Sequence, residues 1–131
     1  MNLAKRGLVN LDVKIILIQW AKWSRATGMG QSLREGTEDN THWISDEQGL
    51  LVDSLMLKLK ASDHNRFTRT RKRHHRYNVL RRYYLHSQSV PAIAKSVRCG
   101  ETKVNALLAN AENKIESYVE CWQDTPESKA A

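Results

Sequence analysis

Residues 90–109 read VPAIAKSVRCGETKVNALLA. Two short apolar periodicities meet there across a tight turn, and that meeting decides the fold. Ser89 is placed to cap the first helix, and Pro91 suits a first helical turn, where its missing N–H would have no partner anyway. Ile93, Ala94 and Val97 share one face of this helix; Val104, Leu107 and Leu108 share one face of the next. Steeply crossing helices need a small residue at the crossing, which Ala94 supplies, and Cys99 fills a further inward position. The turn position that glycine usually holds carries Arg98, with Gly100 two residues later. Left-handed backbone is mildly costly for any other residue, so the turn is expected to re-centre. Spacing alone describes a helix-turn-helix and an ordinary helical hairpin equally well.

Charge separates them. The chain carries 21 Lys+Arg against 14 Asp+Glu, a net of +7. Between Arg66 and Val104 eleven basic side chains face one acid, Glu101, so this segment holds +10 and the remainder −3. A basic field centred on a helix-turn-helix is the electrostatic footprint of a DNA-binding module. Double-stranded DNA is therefore the first expected partner.

The 131 residues suit one all-α domain with 40% apolar side chains and four Trp for a modest core. Cys99 and Cys121 lie too far apart for a metal knuckle, and the five His show no ligand spacing with them, so no metal and no cofactor are expected. Both cysteines read as reduced and structural. The longest apolar run of the first half, residues 15–18, is far too short to span a bilayer, and no signal peptide is visible; the expected compartment is the cytoplasm. The Gly28-Met29-Gly30 turn follows a helix and lacks a phosphate-loop lysine, which argues against a nucleotide cradle. No nucleophile–base pair stands out, so an enzyme is not expected.

In chain order, residues 1–9 are expected to fray, and Asn10 to cap a helix over about 11–24. Leu11, Ile15 and Ile18 lie on one face of it, Val13, Leu17 and Trp20 on another, as in a helix central to a core or shared with a partner. Trp20 and Trp23 read as core, with a protein-binding ridge as the alternative. Residues 27–42 form a long loop. Ser45-Asp46-Glu47-Gln48 is a capping box opening a helix over about 45–60 that buries Leu51, Val52, Leu55, Met56 and Leu59. Residues 1–65 thus form an N-terminal helical region, with 61–65 as a connector. The basic segment 66–76, with Arg66, Arg69, Arg71, Lys72, Arg73 and Arg76, reads as a contact for DNA or RNA phosphates. If about six of these charges met phosphates, log affinity would fall with log salt at a slope of roughly −5. Residues 77–122 hold the helix-turn-helix region, with Tyr83 and Tyr84 at core and rim. In the long final helix Val104, Leu108, Ala111, Ile115, Tyr118 and Trp122 make a seam that can pack on the first helix or on a second copy. Glu112, Glu116 and Glu120 make an acidic stripe, and 123–131 reads as a disordered tail.

Trp20-Ala-Lys-Trp23, a glycine-containing loop and the acid-capped helix from Ile44 to Lys60 together resemble the late-gene antitermination protein Q family of lambdoid phages, in its branch without a zinc motif. Leu80-Arg-Arg-Tyr-Tyr-Leu, Ile93-Ala-Lys, Val104, Leu107-Leu108 and Ala111-Glu112-Asn-Lys-Ile115 resemble that family's C-terminal helix-turn-helix, and more loosely region 4 of sigma factors. The resemblance spans roughly residues 11–119. The basic insertion 66–76 and Arg98 depart from the pattern.

The resemblance implies a regulator in the bacterial host that binds promoter-proximal DNA and loads onto RNA polymerase, with its sigma factor, at a nearby pause. It then suppresses termination at the RNA exit channel during late gene expression. Nascent RNA is a further candidate partner, and a dimer on DNA is compatible with the pattern. Mapped onto this chain, Glu101, Thr102, Asn105 and Ala106 would face base edges in the major groove. Asparagine suits adenine, glutamate a cytosine amino group, and threonine a thymine methyl. Arg81, Arg82, Lys95, Arg98 and Lys103 would meet phosphates. Trp20 and Trp23 are the candidates for polymerase contact. Three other readings stay open: a simple helix-turn-helix transcription regulator, a ring-forming small terminase subunit for DNA packaging, and an RNA-binding structural protein.

Overall fold

The computed structural model describes residues 3–27, 41–66 and 72–122. Among them the chain is all-α: α1 (Leu3–Val9), α2 (Val13–Ala26), α3 (Asp46–Arg66), α4 (Arg76–Tyr84), α5 (Val90–Val97) and α6 (Glu101–Cys121), with a 3-10 turn at Lys72–His74 before α4. The expected long final helix is α6. Its seam packs inside the chain: Val104, Leu108, Ala111, Ile115, Tyr118 and Trp122 are all buried. Their spacing of alternately four and three residues keeps one stripe facing inward for the whole helix. All five other helices touch α6, which makes it the spine of the molecule. The buried side chains of both halves join in one cluster.

The N-terminal half differs from expectation in three places. Residues 3–9 form a helix rather than a frayed end, held by Ala4 and Leu8, four apart and both buried. The Gln48 side-chain amide donates to the Ala4 carbonyl (3.2 Å), and the Lys5 ammonium stands over the Trp122 ring. The cap of α2 is Asp12 rather than Asn10: the Asp12 carboxylate accepts from the Lys14 amide at 2.8 Å. Of the two apolar faces of α2, only the one with Val13, Ile16, Leu17 and Trp20 enters the core, while Ile15 and Ile18 are exposed.

Ser45 and Gln48 close the capping box of α3 from both sides. The Gln48 amide donates to Ser45 Oγ (3.1 Å), and the Ser45 amide donates to Gln48 Oε1 (3.0 Å). Gly49 follows because the Trp23 indole lies against the helix there, where a Cβ would collide with it. The same indole donates its N–H to Asp46 Oδ1 at 2.9 Å, joining α2 to the first turn of α3.

The third difference is the length of α3, which continues through the expected connector to Arg66. That extension carries Asp63 inward to full burial. Its Oδ1 accepts from Arg76 Nε (2.7 Å) and its Oδ2 from the Tyr77 amide (2.9 Å). His75, the N-cap of α4, makes no side-chain cap bond, so a carboxylate from another helix satisfies that end. Arg76 also donates to Asn110 Oδ1 on α6 (2.8 Å). At the other end of α4, buried Arg25 of α2 donates to the carbonyls of Tyr84 (3.2 Å) and Leu85 (2.8 Å). Both ends of α4 are therefore capped by its neighbours.

Leaving one charge of a buried pair without its partner costs about 3–5 kcal/mol. Asp63→Ala is expected to lower the unfolding free energy by that amount in urea titrations, and Asp63→Asn by less, because an amide oxygen still accepts from Tyr77. Gly49→Ala is expected to destabilise by about 1–3 kcal/mol through the collision with Trp23, although alanine is the better helix former. An unfolding midpoint unchanged in either alanine variant would contradict the packing described.

Candidate nucleic-acid interface

Ser89 caps α5 as its sequence position suggests: its hydroxyl accepts from the Ala92 amide at 3.3 Å. Ile93, Ala94 and Val97 then point into the core. The helix ends at Arg98, whose φ of 58° and ψ of 54° are left-handed. The amides of Arg98 and Cys99 both turn back to the Ala94 carbonyl, the latter at 3.1 Å, which satisfies the C-terminal end. The expected re-centring of the turn on Gly100 does not occur. Gly100 has φ −75°, and a Cβ there would meet nothing within 4 Å. Arg98 itself carries the strain, because the closing bonds to Ala94 demand that conformation at its position.

Helix α6 begins immediately after Gly100. Val104 is fully buried and Leu108 nearly so, which fixes the rotation of the helix about its axis. Glu101, Thr102, Lys103, Asn105 and Ala106 consequently face out from its first two turns, all exposed. Lys95 and Arg98, on α5 and the turn, are exposed beside that end of the helix; Arg81 and Arg82 on α4 are half-buried. The His74 ring bonds the Val97 carbonyl at 2.7 Å. A carbonyl only accepts, so Nε2 carries the proton, and the 3-10 turn is pinned to the end of α5. The four candidate base-reading residues are thus all exposed at the start of α6, with Lys95 and Arg98 exposed on the helix and turn that precede it.

Burial decides two readings, against a phosphate contact at Arg76 and for the core reading of Trp20 and Trp23 over the polymerase contact. Arg76 belongs to the core, 4% exposed, and its guanidinium is engaged by Asp63 and Asn110, so it is no phosphate contact. The sequence shows Arg76 only as one more cation in a basic run; its partner lies thirteen residues away on α3. Trp20 and Trp23 are 3% and 2% exposed. Their rings form core under α3, and a polymerase contact through them would require α2 and α3 to part. Of the other basic-segment residues, Arg69 and Arg71 lie outside the described residues, as do residues 28–40 of the long loop and the tail 123–131. Arg66 and Lys72 end α3 and open the 3-10 turn. Arg73 is half-buried against α4.

The acidic stripe is also partly structural. Tyr84 donates its hydroxyl to Glu112 Oε2 at 2.5 Å. Burial first, and then that bond and the carboxylate charge, push the Tyr84 hydroxyl far above its usual pKa, so it remains a donor. Glu116 and Glu120 are exposed. Cys99 and Cys121 are free thiols. Among the described residues no group of three His, Cys, Asp or Glu could hold a metal ion. No described helix is long and apolar enough to cross a membrane.

Residues 11–125 match the family model of phage antitermination protein Q. No match was found among curated proteins or solved structures.

Arg98 allows the interface and the turn to be tested in one substitution. Arg98→Gly removes the cost of a left-handed non-glycine residue, so it is expected to raise stability by about 0.5–1 kcal/mol. It also removes one cation, so the salt slope of duplex affinity should fall by about one unit. Paired thermal melts and salt titrations check both effects; lower stability would contradict the turn geometry, and an unchanged slope the phosphate contact.

Proposed function

Because this chain belongs to the phage antitermination protein Q family, we propose that it acts in phage late gene expression by binding promoter-proximal DNA through the first two turns of α6. Glu101, Thr102, Asn105 and Ala106 read base edges. Lys95, Arg98 and Lys103, with Arg81 and Arg82 on α4, meet phosphates and set the register of the helix on the duplex. The observation that carries this reading is the outward face of α6. Four residues able to touch base edges are exposed on a helix whose opposite side is locked by Val104 and Leu108. Antitermination is the role of the family; the DNA contact explains how such a protein would find its promoter.

From that DNA the protein loads onto RNA polymerase and its sigma factor paused just downstream, in the cytoplasm of the bacterial host. It then travels with the enzyme and acts at the RNA exit channel, where it prevents terminator hairpins from forming. Its contribution is positional: it offers binding surfaces and no catalytic group. The polymerase contact lies on surfaces other than the buried Trp20 and Trp23 rings.

A run-through assay tests the proposal, using purified polymerase, a late promoter and a downstream intrinsic terminator. Read-through is expected to rise with the protein only on templates that keep the promoter-proximal DNA. Asn105→Ala removes a bidentate base contact worth about 1–3 kcal/mol, so it should abolish the gain at limiting protein. DNA binding with unchanged termination would leave a simple helix-turn-helix regulator. Absence of DNA binding, with a ring-sized mass, would point to a packaging subunit.

A further inference from the structure

A cleft of about 550 Å3 opens between α3, the 3-10 turn and α4. Leu57, Ala61 and Tyr77 give it an apolar wall; Lys60, His64, Arg73, His75 and Arg82 surround that wall with cationic and imidazole groups. A second cleft, lined by Asn78, Arg81, Arg82, His86 and Gln88, shares Asn78 and Arg82 with the first. The two therefore form one trough along α4, and among the described residues no carboxylate lines either part. Asp63, on the adjoining stretch of α3, is fully buried and held by Arg76.

Two further observations point to an anionic occupant with an apolar part. Arg73 Nε, His75 Nε2 and Arg82 Nε are sequestered from water with no hydrogen-bond partner among the described residues. Polar nitrogens of that kind are normally satisfied, and these three gain acceptor oxygens when their side chains turn toward the trough. Leu57, on the apolar wall, is 54% exposed in the middle of this charged surface. The Lys60 ammonium stands 5.5 Å from the centre of the Tyr77 ring, so charge and aromatic face lie side by side.

We propose that this trough is a subsite for single-stranded nucleic acid. One unstacked base lies against Leu57, Ala61 and Tyr77, and its flanking phosphates lie on Arg73 and His75. A duplex keeps its bases stacked inside and offers a convex backbone, which suits the outward face of α6 better than a concave cleft. Single strands splay bases onto aromatic and apolar walls while cationic grooves follow their phosphates. The cleft volume also falls in the range of about 300–1,000 Å3 typical of sites that enclose a small molecule. This inference rests on the nucleic-acid reading of the protein and adds a second site with a different strand preference.

Fluorescence anisotropy on the full chain tests it, using short labelled single strands of one sequence as RNA and as DNA, with promoter-proximal duplex measured in parallel. Single strands are expected to bind. Leu57→Glu places a carboxylate on the exposed wall, and Arg73→Gln removes a phosphate donor. Each should weaken single-strand affinity by about tenfold or more. Leu57→Glu should leave duplex affinity and the thermal midpoint unchanged. Lys103→Ala should do the reverse, weakening the duplex only. Binding of RNA alone, or of both strands, supports the subsite, the first assigning a role to the 2′-hydroxyl. Loss of duplex binding with mapped single-strand binding intact would overturn the α6 reading and leave this one standing. Single-strand binding that is absent, or indifferent to both Leu57→Glu and Arg73→Gln, would overturn the proposal.

Discussion

Arg76 joins three helices at one point. Its guanidinium binds Asp63 of α3 and Asn110 of α6, while Asp63 also accepts from the first turn of α4. Taking two charges out of water costs several kcal/mol each, and only good geometry with further hydrogen bonds offsets it. Both conditions are met, and the chain gains a joint that fails if any one of the helices shifts. The helix-turn-helix is therefore not a module on a tether. Its second helix, α6, is fastened to the N-terminal half near its middle by Asn110, while one face of its first two turns stays exposed.

That arrangement gives α6 two tasks along one length. Its inward stripe from Val104 to Trp122 is buried, the helix touches every other helix, and its outward face near Gly100 is exposed. The Arg98 turn sets where the helix begins and the Val104–Leu108 pair sets its rotation. A small change in either would move the presented residues relative to the basic groups on α4 and α5. The left-handed conformation at Arg98, which glycine would adopt more easily, leaves a cation exposed beside the first turn of α6.

Features built from near neighbours were legible in the sequence. Ser89 with Pro91, the Ser45–Gln48 box and the seven-residue rhythm of α6 each rest on local hydrogen bonding or one helical period, and each stands as read. Features made by helices meeting were not. Ser62 and Asp63 read as part of a connector because the apolar pattern stops at Lys60; only the approach of Arg76 makes a buried aspartate tolerable. Trp20 and Trp23 read as core with a protein-binding ridge as the alternative, and the packing of the Trp23 indole on Gly49 and Asp46 of α3 decides for the core. The trough along α4 collects Leu57 and Lys60 from one helix and Arg73 and Arg82 from the segment beyond it. No periodicity connects them. Arg25, which closes the end of α4, gave no signal beyond being a cation in an apolar helix.

Contact between DNA and the first two turns of α6 can be tested residue by residue by titrating isotope-labelled protein with promoter-proximal duplex and following backbone amide resonances. The largest shifts are expected at Lys95, Arg98 and Glu101 through Ala106, with the buried stretch around Ile115 and the amides of α1 unmoved. Saturable binding that shifts α1 and α2 and leaves Glu101 through Ala106 in place would contradict it.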